Sequence, residues 1–289
     1  MTENNVFTDQ GRALVSKVQC DEILKRDISR AVAAIGGFQR LVEPGDEILL
    51  KPNFNTADPP PASSDPLFVK AVIELLYESG AGQVIVGESS MASRSTRETL
   101  RSAGMLQATE EAGAKVVVFE DEEWVSVQTG GRFLKKVALA RTVLEAKKIV
   151  YLPCLKTHRF ADFTMSLKLA MGFVRPRDRL AMHARNLREK LVDLNLVVAP
   201  HLIIIDGRRC FISGGPMKGD LREPNCILAS GDRIAIDVEA LKVIQGYPGH
   251  SLQQSPWDLP MIQRAVGLEL GAKAEAEYRL VADALVGAA

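Results

Sequence analysis

Short apolar, β-branched runs alternate along the chain with longer stretches in which apolar residues recur every three to four positions. The runs 13–18, 47–50, 83–86, 115–119, 147–152, 202–205 and 226–229 predict strands of four to six residues, as expected for strands covered on both faces. The helical period predicts helices over 21–35, 95–112, 180–198, 233–245 and 256–270. The clearest helix opens at Asp65-Pro66, where a carboxylate caps the first free amides and proline is preorganised for the first turn. Its apolar positions Val69, Val72, Ile73 and Leu76 share one face, and Gly80 ends it. Residues 56–64 are a proline-rich loop, 120–123 an acidic turn, and 132–138 an antiparallel excursion. This alternation predicts an α/β protein: a largely parallel sheet of βα units with helices on both faces. One domain over 1–289 is expected, with a smaller inserted subdomain around 120–190 as the alternative.

Composition narrows the field without naming a function. Apolar residues make up 46% and charged residues 25% of the 289, the balance of a globular protein with a sizeable core. Basic and acidic residues number 36 each, so global charge points neither to nucleic acid nor to a membrane surface. The polar start Met1-Thr2-Glu3-Asn4-Asn5 does not read as a signal peptide, and the expected location is cytoplasmic. The longest apolar candidate, 194–205, is interrupted by Asn195, Pro200 and His201, so no membrane contact is expected. Cys20, Cys154, Cys210 and Cys226 are widely spaced, which gives neither a zinc nor an iron–sulfur motif.

In open α/β sheets ligands bind beyond the carboxyl ends of the strands, so the residues following each strand matter most. They are Lys51 and Asn53 after the second strand, Glu88 and Ser89 after the third, Lys156-Thr157-His158 after the fifth, and Asp206 after the sixth. Lys156 and His158 are two apart and point the same way in an extended segment. The stretch 151–190 holds nine basic residues against three acidic ones, a local excess of six positive charges in a neutral chain. Such a patch draws carboxylates and phosphates. Few aromatic residues interleave with it, so nucleic acid is not the expected partner.

The catalytic candidates are therefore His158, His183 and Lys156. Lys51, Asn53, Ser89, Lys168 and Arg175 are candidates for binding substrate, and Glu88, Asp206 and Asp237 for supporting it. A lysine anchors an anion, and a histidine titrating near neutrality moves a proton. His158, His183, Glu88 and Asp206 are also the candidate ligands for a divalent metal. The cofactor and the oligomeric state stay open. No P-loop, dinucleotide fingerprint, zinc-peptidase or serine-hydrolase motif is present.

Taken in order, several segments resemble the domain-of-unknown-function-362 family of bacteria and archaea. They are Lys51-Pro52-Asn53, Ser64-Asp65-Pro66, Val86-Gly87-Glu88-Ser89, Leu155-Lys156-Thr157-His158, Thr164 to Lys168 with Gly172, and His183. The series continues through Asp193-Leu194-Asn195, Asp206-Gly207, Gly215-Pro216 to Gly219, and Ala229 to Asp237. Many members of that family carry an appended ferredoxin-type segment, which implies redox work with a partner. The clustered cysteines of that segment are absent here. A remote likeness to the lactate racemase fold implies proton exchange on a hydroxy acid. Three readings follow: acid–base chemistry by Lys and His on a small anionic metabolite, a metal- or iron–sulfur-partnered redox protein, and a non-catalytic ligand-binding or accessory protein.

Overall fold

The computed structural model describes residues 5–282; residues 1–4 of the polar start lie outside that range. In chain order it contains β1 (Thr8–Asp9), β2 (Arg12–Gln19), α1 (Leu24–Ala34), β3 (Glu47–Pro52), α2 (Pro66–Glu78) and β4 (Gln83–Glu88). Then come α3 (Thr96–Ser102), α4 (Met105–Glu111), β5 (Lys115–Val118), β6 (Trp124–Gln128), β7 (Lys136–Ala140) and α5 (Arg141–Glu145). β8 (Lys148–Leu152), β9 (Cys154–His158), β10 (Asp162–Thr164), α6 (Ser166–Leu169), α7 (Pro176–Ala184) and α8 (Leu187–Leu194) follow. The chain closes with β11 (Leu202–Gly214), β12 (Gly219–Arg222), β13 (Cys226–Ser230), α9 (Arg233–Gln245), α10 (Pro260–Gly267) and β14 (Tyr278–Ala282).

The main sheet runs β2-β13-β11-β8-β3-β4-β5, with β1 and β14 also paired to β2. From β11 to β5 all neighbours are parallel, whereas β13 is antiparallel to both β11 and β2. The protein is of the α/β class with a mixed, mostly parallel sheet. Side chains alternate between two apolar clusters. Ile48 and Leu50 of β3 face one cluster with α1 and α2, while Leu49 faces the other, which holds α8, α9 and α10. Helices therefore cover both faces.

Two predicted helices are split. The stretch 95–112 breaks at Gly104, whose φ of +78° a side chain rarely tolerates, and yields α3 and α4. The stretch 180–198 breaks at Asn186 (φ +53°), and α7 begins earlier, at Pro176. The helix at Asp65-Pro66 forms as α2, with the Asp65 carboxylate accepting from Leu67 N at 2.9 Å.

The excursion after the acidic turn is the two-stranded ribbon β6–β7. Its tether is Asp193 of α8, fully buried, which accepts from Phe133 N at 2.5 Å and Leu134 N at 2.9 Å and pairs with Arg264. Asp193→Ala is expected to cost about 3 kcal/mol, because it strands a half-buried guanidinium and two amides. Urea unfolding measures this. A loss below about 1 kcal/mol would mean that apolar contacts alone hold the ribbon.

Candidate functional site

The crossovers from β3 to β4 and β5 proceed outward on one side of β3, whereas β8 returns on its other side. The boundary between β3 and β8 is thus a topological switch point, where connections diverge and leave a crevice at the strand ends. Pro153 sharpens it. Having no N–H, it ends the ladder of β8, and β9 continues beside β11 without pairing to β3. The resulting cleft has a volume of about 270 Å³, at the lower edge of small-molecule sites.

β9 turns Lys156 and His158 into this cleft, which Lys51, Asn53, Glu88, Ser89, Lys168 and His183 also line. Four basic side chains (Lys51, Lys156, Lys168 and Arg179) stand against one carboxylate, Glu88. Lys51 and Glu88 form a fully buried ion pair, and Glu88 also accepts from Phe54 N at 3.2 Å and Ser89 N at 2.7 Å. Gly172 makes room for that lysine: a Cβ there would lie 2.6 Å from Lys51 Cε. Lys156 donates to Asn53 Oδ1 at 2.8 Å and Ala62 O at 2.5 Å, which occupies two of its three N–H groups. Burial pushes its pKa down, and Cys154 and Asp58 offset only part of that effect.

Lys168 differs from both, since it makes no hydrogen bond or ion pair with any described residue. Burial first, and then the charges of Lys156 and Arg179, bring its pKa down from 10.5 to about 7. Two hydroxyls on the same wall, Ser89 Oγ and Thr164 Oγ1, are buried without partners. A cavity whose polar atoms lack partners is poised to meet them with a ligand.

The histidine tautomers follow from the backbone. His158 Nδ1 accepts from Phe160 N and Ala161 N, both at 3.2 Å, so its single proton sits on Nε2. Burial, helped by Lys168 and Lys156, holds its pKa near 2, and the ring stays neutral. His183 Nδ1 lies 2.7 Å from Arg179 O, an acceptor only, so Nδ1 carries a proton.

Three expected site residues lie elsewhere. Arg175 is bound in two-pronged fashion to Asp178, at 2.8 and 3.0 Å, and lines a separate cavity behind α7. Asp206 is held by Arg208 at 2.7 Å on the far side of the proline-rich loop, beside Cys154. Asp237 is a support at one remove. It accepts from Ser166 N (2.9 Å) and Leu167 N (3.0 Å), anchoring the short α6 that carries Lys168, and burial raises its pKa to about 7. The proposed metal set of His158, His183, Glu88 and Asp206 therefore does not assemble, and among the described residues no three His, Cys, Asp or Glu side chains form a metal-binding group. The four cysteines are free thiols, and burial raises Cys154 to about 11.

Arg179 is the residue that sequence reasoning missed. It reads there as one arginine in a basic stretch. In the fold it donates to Ser89 O, Ser90 O, Val174 O and Gly172 O at 2.8–3.2 Å and so fixes α7 to the end of β4. Thr164 is the other. Its pairing opposite Lys156 depends on the β9–β10 hairpin.

These features define an α/β protein with a cation-rich cleft at a sheet switch point. The chain belongs to the family described as Domain of unknown function (DUF362), whose profile matches residues 48–242. It is 31% identical over 219 residues to the Thylakoid-associated protein sll1697 of Synechocystis sp., covering 73% of this chain and 67% of that protein. Among solved structures, it is similar to the lactate racemase apoprotein from Thermoanaerobacterium thermosaccharolyticum, with a TM-score of 0.49 and 14% identity. That match covers 82% of this chain and 57% of the racemase. A Thermotoga maritima protein aligns at a TM-score of 0.41 and 9% identity, covering 79% of this chain and 59% of its own. The chain thus spans less than two thirds of either structure. No helix among the described residues is long and apolar enough to cross a membrane.

Proposed function

We propose that the chain is an enzyme that moves a proton on a small anionic metabolite, at the carbon next to its carboxylate. The observation that carries this reading is Lys168: an amine without a partner, in a cleft, with a pKa near 7. The third N–H of Lys156 and the hydroxyls of Ser89 and Thr164 hold the anion. Neutral His158 donates its Nε2–H to the oxygen on which charge develops, a role a neutral imidazole can fill without releasing its proton. Lys168 takes the proton from carbon, and His183 Nε2 is the second acid/base group. Glu88 holds Lys51 in place.

The test is solvent exchange. Incubated in D2O with a panel of 2-hydroxy and 2-oxo acids, the wild-type protein should place deuterium next to the carboxylate of at least one of them, read by proton NMR. His158→Ala should lower that rate by at least about 100-fold while leaving the fold intact. Exchange by the variant at the wild-type rate would remove His158 from the mechanism. The rate should also rise with pH through about 7, since only the neutral Lys168 amine accepts a proton.

A second reading, an accessory protein that docks an acidic redox partner, draws on the exposed Arg177 and Arg185 of the basic stretch. Arg177→Glu with Arg185→Glu would weaken such docking and leave proton exchange unchanged.

A further inference from the structure

The cleft is unevenly polar. Lys51, Lys156, Lys168 and Arg179 crowd its inner wall, while Phe160 and Met217 line it from outside the sheet. Both are large apolar side chains in contact with solvent, Phe160 at 63% exposure and Met217 at 40%. Neither position is incidental. Phe160 belongs to the turn whose N–H groups fix His158, and its ring stands edge-on to the imidazole with centroids 6.3 Å apart. Met217 tips the β11–β12 hairpin, which is pressed onto β9 so closely that a Cβ at Gly215 would fall 2.0 Å from Thr157 O. Phe54, Leu169 and Met171 continue the apolar lining between the two ends.

We propose that the ligand of this cleft is a carboxylate with an apolar substituent, its anionic end on Lys156, Ser89 and Thr164 and its apolar end across Phe160 and Met217. This rests on the anion-binding reading above and adds the chemical class of the tail. Covering Phe160 and Met217 removes apolar surface from water, and each methylene laid there strengthens binding. The volume of about 270 Å³ limits the tail to a few carbons or a single ring.

Calorimetric titration with acetate, butyrate and hexanoate at constant ionic strength tests both ends separately. In the wild-type protein Kd should fall about three- to four-fold per added methylene, the factor for full burial of a CH2 group. In Phe160→Ala with Met217→Ser the fall should shrink to less than about 1.5-fold per methylene. Both side chains are exposed, so the double variant should keep the wild-type melting temperature. A wild-type Kd indifferent to chain length overturns the proposal, and so does a gradient that survives intact in the double variant. Lys156→Met, checked for folding by its melting curve, reads the anionic end: it should weaken all three ligands by one common factor of about ten or more. If it leaves all three unchanged while the gradient stands, the apolar tail is retained and the anion site is misplaced.

Discussion

Lys168→Met raises the melting temperature at pH 7 by roughly 5–10 °C and abolishes proton exchange. A lysine whose pKa falls from 10.5 to about 7 on folding carries a stability cost of about 5 kcal/mol when protonated. The amine faces an open cleft, so water screens part of that cost, and a gain of about 2–3 kcal/mol is the reasonable expectation. The sign fixes the pH window. Below pH 7 both the folded and unfolded chains hold the proton, and the cost is fully present. Between pH 7 and 10.5 the folded chain has released it and the unfolded chain has not, so the cost declines. The advantage of the methionine variant should therefore be largest at and below neutrality and vanish towards pH 10.5. Thermal melts of both proteins across that range measure it. A variant no more stable than wild type at pH 7 would show that the ammonium is well solvated, and with it the case for Lys168 as the base would go.

The second large effect is at Lys51 and Glu88. Either single change, Lys51→Met or Glu88→Gln, breaks a fully buried ion pair, and the lysine variant leaves its carboxylate unpaired. That variant should lose about 3–5 kcal/mol. Combining the two changes should restore part of the loss. A glutamine at 88 is neutral and offers its single oxygen to either Phe54 N or Ser89 N, which donate to different oxygens of Glu88, while methionine fills the channel beside Gly172. Urea midpoints for the four proteins complete the cycle. A double variant as damaged as the worse single one would mean that the pair's contribution lies in its backbone contacts rather than in charge. The double variant should bind carboxylates weakly even if stable, since one cation has left the inner wall.

Much of this architecture was legible because it is periodic. β3, β4 and β8 are continuous apolar runs, and α2 and α9 announce themselves through their caps Asp65 and Asp232. The inner members of the cleft were legible because they follow strand ends. What stayed hidden depends on contacts far apart in sequence. Residues 154–158 mix apolar and polar side chains and follow a proline, so no apolar run marks them as a separate strand; β11, nearly 50 residues later, pairs with them. Arg175 and Arg179 look alike in the sequence. A carboxylate three residues on claims the first, and four carbonyls from the end of β4 and the turn after α6 claim the second. Asp206 reads as a strand end in the sequence, but β11 runs on through it beside β9, and its carboxylate meets Arg208 instead of the cleft.

The division between the two ends of the cleft has a bearing on how such a protein diversifies. Lys51, Lys156 and the anchor of Lys168 are set by strand register and by Asp237 on a fully packed helix, so drift there is punished by unfolding. Phe160 and Met217 sit on two turns, and neither side chain belongs to the core. Descendants of this chain can therefore exchange one outer residue at a time and acquire new ligands while the inherited chemistry stays in place.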